Sequence, residues 1–180
     1  MGEHRLCKAG VEGSIPFVSI SSSSPAGFPT ASWAFMNDHV TGLAPRGILE
    51  ATLAKHCGTA DGPQAAGEAR QLMAITILDI VGLKAVNERD GFLAGDAVLH
   101  AAAERLRQAA GSAVVLARLG GDELVAVFLG AQAGEQAALA ARALADRSVQ
   151  PPLRAAFEVA SAGDTPATLI HRLYATLRRC

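Results

Sequence analysis

Apolar positions follow two rhythms along this chain. From residue 72 to 78 they are nearly continuous (Leu72-Met73-Ala74-Ile75-Thr76-Ile77-Leu78) and rich in β-branched side chains, which predicts a buried strand that ends at Asp79. A second apolar stretch, Val114-Val115-Leu116 and then Val125, Val127 and Phe128, is broken by Gly120 and Gly121, which predicts two strands joined by a hairpin. The other rhythm is helical. Val98, Leu99, Ala102, Ala103 and Leu106 share one helix face, Glu104, Arg105, Arg107 and Gln108 lie largely off it, and Gly111 ends the element. Further helices are expected over 45–56, over the alanine-rich 132–147, and from Thr165-Pro166 through Leu169, Ile170, Leu173 and Leu177, with a strand over 153–160 behind Pro151-Pro152. A Gly/Pro/Asp-rich loop fills 58–67. Alternating helices and strands with one clear hairpin imply an α/β fold.

Residues 1–35 break both rhythms. Gly13, Pro16, the serines 21 to 24, Pro25, Gly27 and Pro29 leave too little apolar surface to offset the entropy of ordering, so a flexible N-terminal extension is expected ahead of a domain over 36–180, with Met36 a candidate natural start. Glu12 and Pro16 interrupt the apolar segment that a signal peptide would need.

Composition narrows the function classes. Half of the 180 residues are hydrophobic, much of that alanine, and no uncharged apolar run approaches the roughly 20 residues of a membrane span, so a cytoplasmic chain with no membrane partner is expected. A net charge of −1 gives no general attraction to nucleic acid. Cys7, Cys57 and Cys180 are odd in number and widely spaced, which supports neither a disulfide framework nor a zinc site. Lys8, Lys55 and Lys84 are the only lysines.

The chemistry concentrates at the hairpin. Asp122 and Glu123 follow the two glycines directly, and paired carboxylates on a tight turn suit a hard cation. Asp79, at the end of the buried strand, reads locally either as the cap of a following helix or as a metal ligand.

Gly120-Gly121-Asp122-Glu123-Leu124 resembles the signature pentapeptide of GGDEF domains, the diguanylate cyclases, with leucine in place of phenylalanine. Upstream, Asp38-His39-Val40-Thr41-Gly42-Leu43-Ala44-Pro45-Arg46 resembles that family's opening motif, Pro45 replacing an asparagine. Asp79-Ile80-Val81-Gly82-Leu83-Lys84-Ala85-Val86-Asn87 follows its Asp-x-Asp-x-Phe-Lys-x-x-Asn pattern, with Val81 for the second aspartate and Leu83 for the aromatic. Gly91-Phe92-Leu93-Ala94-Gly95-Asp96 stays in register, with Phe92 where histidine is common. The resemblance covers about residues 38–180 and implies a nucleotide-cyclase, palm-like fold, a ferredoxin-like, mostly antiparallel sheet surrounded by helices.

It also implies an activity: condensation of two GTP into cyclic di-GMP with release of pyrophosphate, by a homodimer using Mg²⁺ or Mn²⁺. In this sequence the metal would fall to Asp79, Asp122 and the backbone carbonyl of Ile80, and Glu123 would support the metal or help deprotonate the 3′-hydroxyl. Lys84, with the amides of Gly82 and Leu83 at a helix start, would meet phosphate. Asn87 and Asp96 would read guanine, whose N1–H and exocyclic amine both donate to a carboxylate, and Gly120 and Gly121 would let substrate approach the turn. Taken singly, these residues also read as a solvated helix lysine, a helix-end asparagine and an N-cap aspartate. The arginine and aspartate of the family's product-inhibition motif would fall at Gly111 and Val114, so no inhibitory site is expected. Val81, Phe92, Leu124 and the absence of the family's basic terminus define a second reading, a catalytically silent module that binds GTP or a protein as a regulator. A third, a ferredoxin-like RNA-binding domain, lacks the basic patch and strand aromatics it would need.

Overall fold

The computed structural model describes residues 37–57 and 72–180; the expected extension over 1–35, the start at Met36 and the 58–67 loop lie outside them. The elements are β1 (Ala44–Pro45), α1 (Arg46–His56), β2 (Met73–Ile80), α2 (Leu83–Asp90), α3 (Phe92–Ala109), β3 (Val115–Arg118), β4 (Glu123–Leu129), α4 (Ala133–Leu144), β5 (Leu153–Val159) and α5 (Pro166–Leu177). They form a mixed α/β fold around a five-stranded sheet in the order β1-β3-β4-β2-β5. The β1–β3 pair is parallel, and every other pair is antiparallel.

β2 carries the fold because both of its faces are covered. Met73, Ile75 and Ile77 pack with Leu49 and Leu53 of α1 and Leu169, Leu173 and Leu177 of α5. Ala74, Leu78 and Ile80 turn the other way, onto Leu99, Ala102 and Leu106 of α3 and Ala137, Ala140 and Leu144 of α4. A strand buried on both sides needs apolar residues at consecutive positions, which explains its unbroken pattern. The exception is Thr76, fully buried, whose hydroxyl donates to the Ala137 carbonyl at 2.9 Å and so costs little. Alanine at 133, 137, 140 and 141 brings α4 close to the sheet.

Several expected boundaries move. β2 includes Asp79 and Ile80, because the ladder to β4 continues through Asp79 and the ladder to β5 through both, so Asp79 caps no helix. α3 begins at Phe92, ahead of its apolar face, which puts Asp96 inside the helix rather than at its N-cap. Pro45 is itself the N-cap of α1, extended at φ −73°, and pairs with Arg118 in the short β1 that the sequence pattern did not reveal. Arg105 donates to the carbonyls of Leu144, Asp146, Val149 and Pro151 at 3.0, 3.3, 3.0 and 2.5 Å and thereby fixes the connection between α4 and β5 to α3.

Candidate active site

The hairpin between β3 and β4 closes over Leu119–Asp122, with the amides of Leu119 and Gly120 donating to the Glu123 carbonyl at 2.9 and 3.4 Å. Neither Gly120 nor Gly121 has a positive φ, so a left-handed turn is not what requires glycine here. At Gly120 the reason is close approach: an added Cβ would lie 2.8 Å from Glu123 Oε2. At Gly121 an added Cβ would meet no protein atom within 4 Å.

Arg118, the last residue of β3, holds this turn. Its Nε donates to the Gly120 carbonyl at 3.2 Å, its Nη2 to the Gly121 carbonyl at 2.6 Å, and its Nη1 to both Asp38 carboxylate oxygens at 2.9 and 3.1 Å. Asp38 in turn accepts from the Thr41 amide at 2.8 Å and hydroxyl at 2.7 Å. Burial works against ionisation of Asp38, but the bonds from Thr41 and the Arg118 guanidinium outweigh it and hold the carboxyl below the ordinary aspartate range. The opening motif is therefore tied to the signature hairpin across 80 residues of sequence.

On one side of the hairpin lies an open cleft of about 700 Å³, lined by Leu83, Lys84, Asn87, Phe92, Asp96, Leu99, Arg118, Gly121 and Asp122, among others. Its floor comes from α2, which starts at Gly82 in a left-handed conformation (φ 80°) that a Cβ would strain, leaving the first amides of the helix without a side-chain cap. Lys84 is solvent-exposed and makes only a long contact to Glu88, 3.6 Å, so its ammonium is available. Asn87 of α2 and Asp96 of α3 both line the cleft, and Gly95 lets the Asn87 side chain lie against α3, since a Cβ there would sit 1.8 Å from Asn87 Oδ1. The ring of Phe92 is largely exposed at the mouth of the cleft.

The other two predicted acids face away from this lining. Asp79 and Glu123 are direct ladder partners and share the sheet face that carries α1 and α5. Glu123 Oε2 accepts from the Tyr174 hydroxyl of α5 at 2.6 Å. Burial, and after it the Glu123 carboxylate, push the Tyr174 phenol well above its ordinary pKa, so it remains a donor. Asp79 Oδ2 accepts from Arg154 Nη2 and Nε at 2.5 and 3.0 Å. Ile80 follows Asp79 in β2, and its amide donates to the Asp122 carbonyl at 3.2 Å, which binds the strand end to the turn.

The structure thus gathers Leu83, Lys84, Asn87, Asp96, Gly121 and Asp122 around one cleft and leaves Gly82, Ile80, Asp79, Glu123 and Gly120 out of its lining. Among the described residues, no three histidine, cysteine or carboxylate side chains form a ready-made metal cage. The oxygen donors still suit a hard divalent cation, since such ions are commonly held by one or two carboxylates with substrate phosphates completing the shell, and the Asp79 carboxylate already carries a cationic partner. Arg118, Arg154 and Tyr174 were missed as site residues in the sequence. Arg118 stands two residues ahead of the signature glycines and Tyr174 beside Leu173 in the last helix, whereas Arg154 shows only as a charge alternating with Leu153 and Ala155 along a strand.

A family profile described as "Diguanylate cyclase, GGDEF domain" matches residues 35–160. The chain belongs to the GGDEF-domain family. Over 114 residues it is 38% identical to an uncharacterized signaling protein of Caulobacter vibrioides, covering 63% of this chain and 13% of that protein. It is 32% identical over 148 residues to the diguanylate cyclase TpbB of Pseudomonas aeruginosa, covering 75% and 32%. This GGDEF domain therefore corresponds to only part of each relative's length. Its fold matches the GGDEF domain of TpbB with a TM-score of 0.64 at 27% identity, covering 80% of this chain and 90% of that one. It also matches the GGDEF domain of DgcB from Caulobacter crescentus, solved in complex with c-di-GMP, with a TM-score of 0.65 at 22% identity, covering 80% and 88%. Among the described residues no helix is long and apolar enough to cross a membrane.

Proposed function

We propose that this GGDEF domain is a diguanylate cyclase that condenses two GTP into cyclic di-GMP and pyrophosphate. The observation that carries the reading is the cleft itself, where a lysine, an asparagine, two aspartates and an open glycine from three separate chain segments line one space of about 700 Å³. Such a set suits a purine nucleotide. Asp96 and Asn87 bind the guanine edge; adenine, which lacks the N1–H and exocyclic 2-amine donors, would leave the carboxylate unpaired and is disfavoured. Lys84 and the uncapped amides of Gly82 and Leu83 take the phosphates. Because backbone makes those contacts, leucine can replace the family's aromatic at 83.

Asp79, Asp122 and the Ile80 carbonyl are the groups that would hold Mg²⁺ or Mn²⁺, which supplies charge neutralisation at the triphosphate. Glu123, fixed by Tyr174, sits next to these groups and orients the turn or accepts the proton of the attacking 3′-hydroxyl. The rest of the catalysis is positioning: in-line attack on an α-phosphorus depends on holding two substrates face to face. One cleft holds one GTP, so the reaction takes a homodimer.

The test is incubation of concentrated protein with GTP and Mg²⁺, with nucleotides separated by chromatography. Cyclic di-GMP is expected from the wild type and none from Asp122→Ala. GTP binding without any product would instead favour a nucleotide-binding regulatory module on the same cleft, and no binding would reject both.

A further inference from the structure

Arg154 stands directly opposite Asp79 in the ladder between β5 and β2, which puts both side chains on the same face of the sheet. Two of its donors converge on Asp79 Oδ2, at 2.5 and 3.0 Å. The acid is the fixed member of the pair, with its side chain 13% exposed against 45% for the arginine, so the guanidinium has solvent to swing into. The Asp122 charge acts on the same guanidinium. Arg154 is thus a cation among the carboxylates to which the proposed function assigns a cation. Its role as a strand tie is dispensable, because seven register pairs already join β2 to β5.

We propose that Arg154 is a positioning residue that acts through Asp79: an internal counter-ion that occupies its carboxylate in the nucleotide-free protein and has to be displaced before a divalent cation binds. This rests on the reading of Asp79 as a cation ligand. The physical reason is charge balance. Asp79 and Glu123 are like charges directly opposite one another in the β2–β4 ladder, an arrangement that costs stability unless a cation relieves it. A guanidinium on Asp79 relieves this while no metal is bound. The same guanidinium repels an approaching divalent ion, so binding becomes an exchange of one cation for another and its apparent affinity falls.

The experiment is titration of the nucleotide-free protein with Mn²⁺ at constant ionic strength, followed by calorimetry and by the electron paramagnetic resonance signal of free Mn²⁺. Wild type, Arg154→Gln, Arg154→Lys and Asp79→Asn are compared, each checked by circular dichroism for a native melt. Arg154→Gln is expected to bind Mn²⁺ more tightly than wild type, by up to about fivefold, the range set by losing a partly exposed ion pair. Arg154→Lys, which keeps the charge but loses the planar grip, falls between them. Equal or weaker Mn²⁺ binding by folded Arg154→Gln and Arg154→Lys, with binding lost in Asp79→Asn, overturns the counter-ion and makes Arg154 a support for Asp79. Unchanged binding in Asp79→Asn removes the metal reading of Asp79 itself, and the counter-ion with it.

Discussion

Replacing Gly95 by alanine puts a methyl group where the Asn87 amide now lies. An added Cβ would be 1.8 Å from Asn87 Oδ1, 2.8 Å from its Cγ and 3.3 Å from its Nδ2, contacts that the asparagine has to relieve by swinging away. The clash is with the far end of a side chain, not with backbone, so the helices need not separate. Overpacking of this kind costs about 1–3 kcal/mol, whereas exchanging glycine for alanine inside α3 returns about 0.5–1 kcal/mol of helix stability. The net loss is then at most about 2.5 kcal/mol, a fall in melting temperature of no more than about 5–10 °C. Binding suffers more, relative to its total. If Asn87 reads guanine, turning its amide out of the cleft removes a hydrogen bond and leaves its base partner unpaired, about 1–1.5 kcal/mol or roughly a tenfold weaker affinity for GTP. Calorimetric titration with GTP, beside a thermal melt and the Asn87→Ala variant, tests this. The reasoning is refuted if Gly95→Ala is folded and binds GTP within twofold of wild type while Asn87→Ala has lost affinity, because the amide would then not depend on glycine for its place.

Two further outcomes concern stability. Arg105→Ala strands four carbonyls around the connection between α4 and β5 and is expected to cost about 2 kcal/mol, read as an earlier midpoint in urea; an unchanged midpoint would mean that water replaces the guanidinium at no cost. Acid should also unfold the domain through its depressed carboxylates. Burial opposes the charge of Asp164, but Arg172, the Ser161 amide and Thr168 outweigh it and hold its acid below the ordinary range, as Thr41 and Arg118 do for Asp38. A folded pKa below the unfolded value of about 3.9 means that the unfolded chain binds more protons, so this stability is complete above that pH and is lost as pH falls through the lower, folded value. Urea denaturation from pH 7 to pH 3 should therefore give a level unfolding free energy near neutrality and a decline in acid, shallower in Asp164→Asn; an equally steep decline in that variant would remove Asp164 from the account.

How much of this was legible beforehand depends on the range of each interaction. The β2 run, the hairpin and the alanine-rich α4 were readable because burial on a sheet or a helix face imposes a local period. The run of residues from Asp79 to Asp122 could be matched to a family because its spacing is a property of the chain. Element ends were less visible: β2 outlasts its apolar run because β4 and β5 supply partners for Asp79 and Ile80, and α3 starts ahead of its apolar face because Gly91 turns α2 directly into it. The predicted acids looked like one set in sequence, yet folding divides them. Strand alternation sends Asp79 and Glu123 to the face that carries α1 and α5, while Asp122, one residue earlier on the turn, opens into the cleft beside Asn87 and Asp96. Arg118, Arg154 and Tyr174 gain their partners from 80, 75 and 51 residues away. The sequence by itself determined where most helices and strands lie, though not the two-residue β1, and which residue types gather at the hairpin, since both follow from local pattern. Only the tertiary structure decided which cation and which hydroxyl reach the acids, because those contacts exist only once strand register has been set.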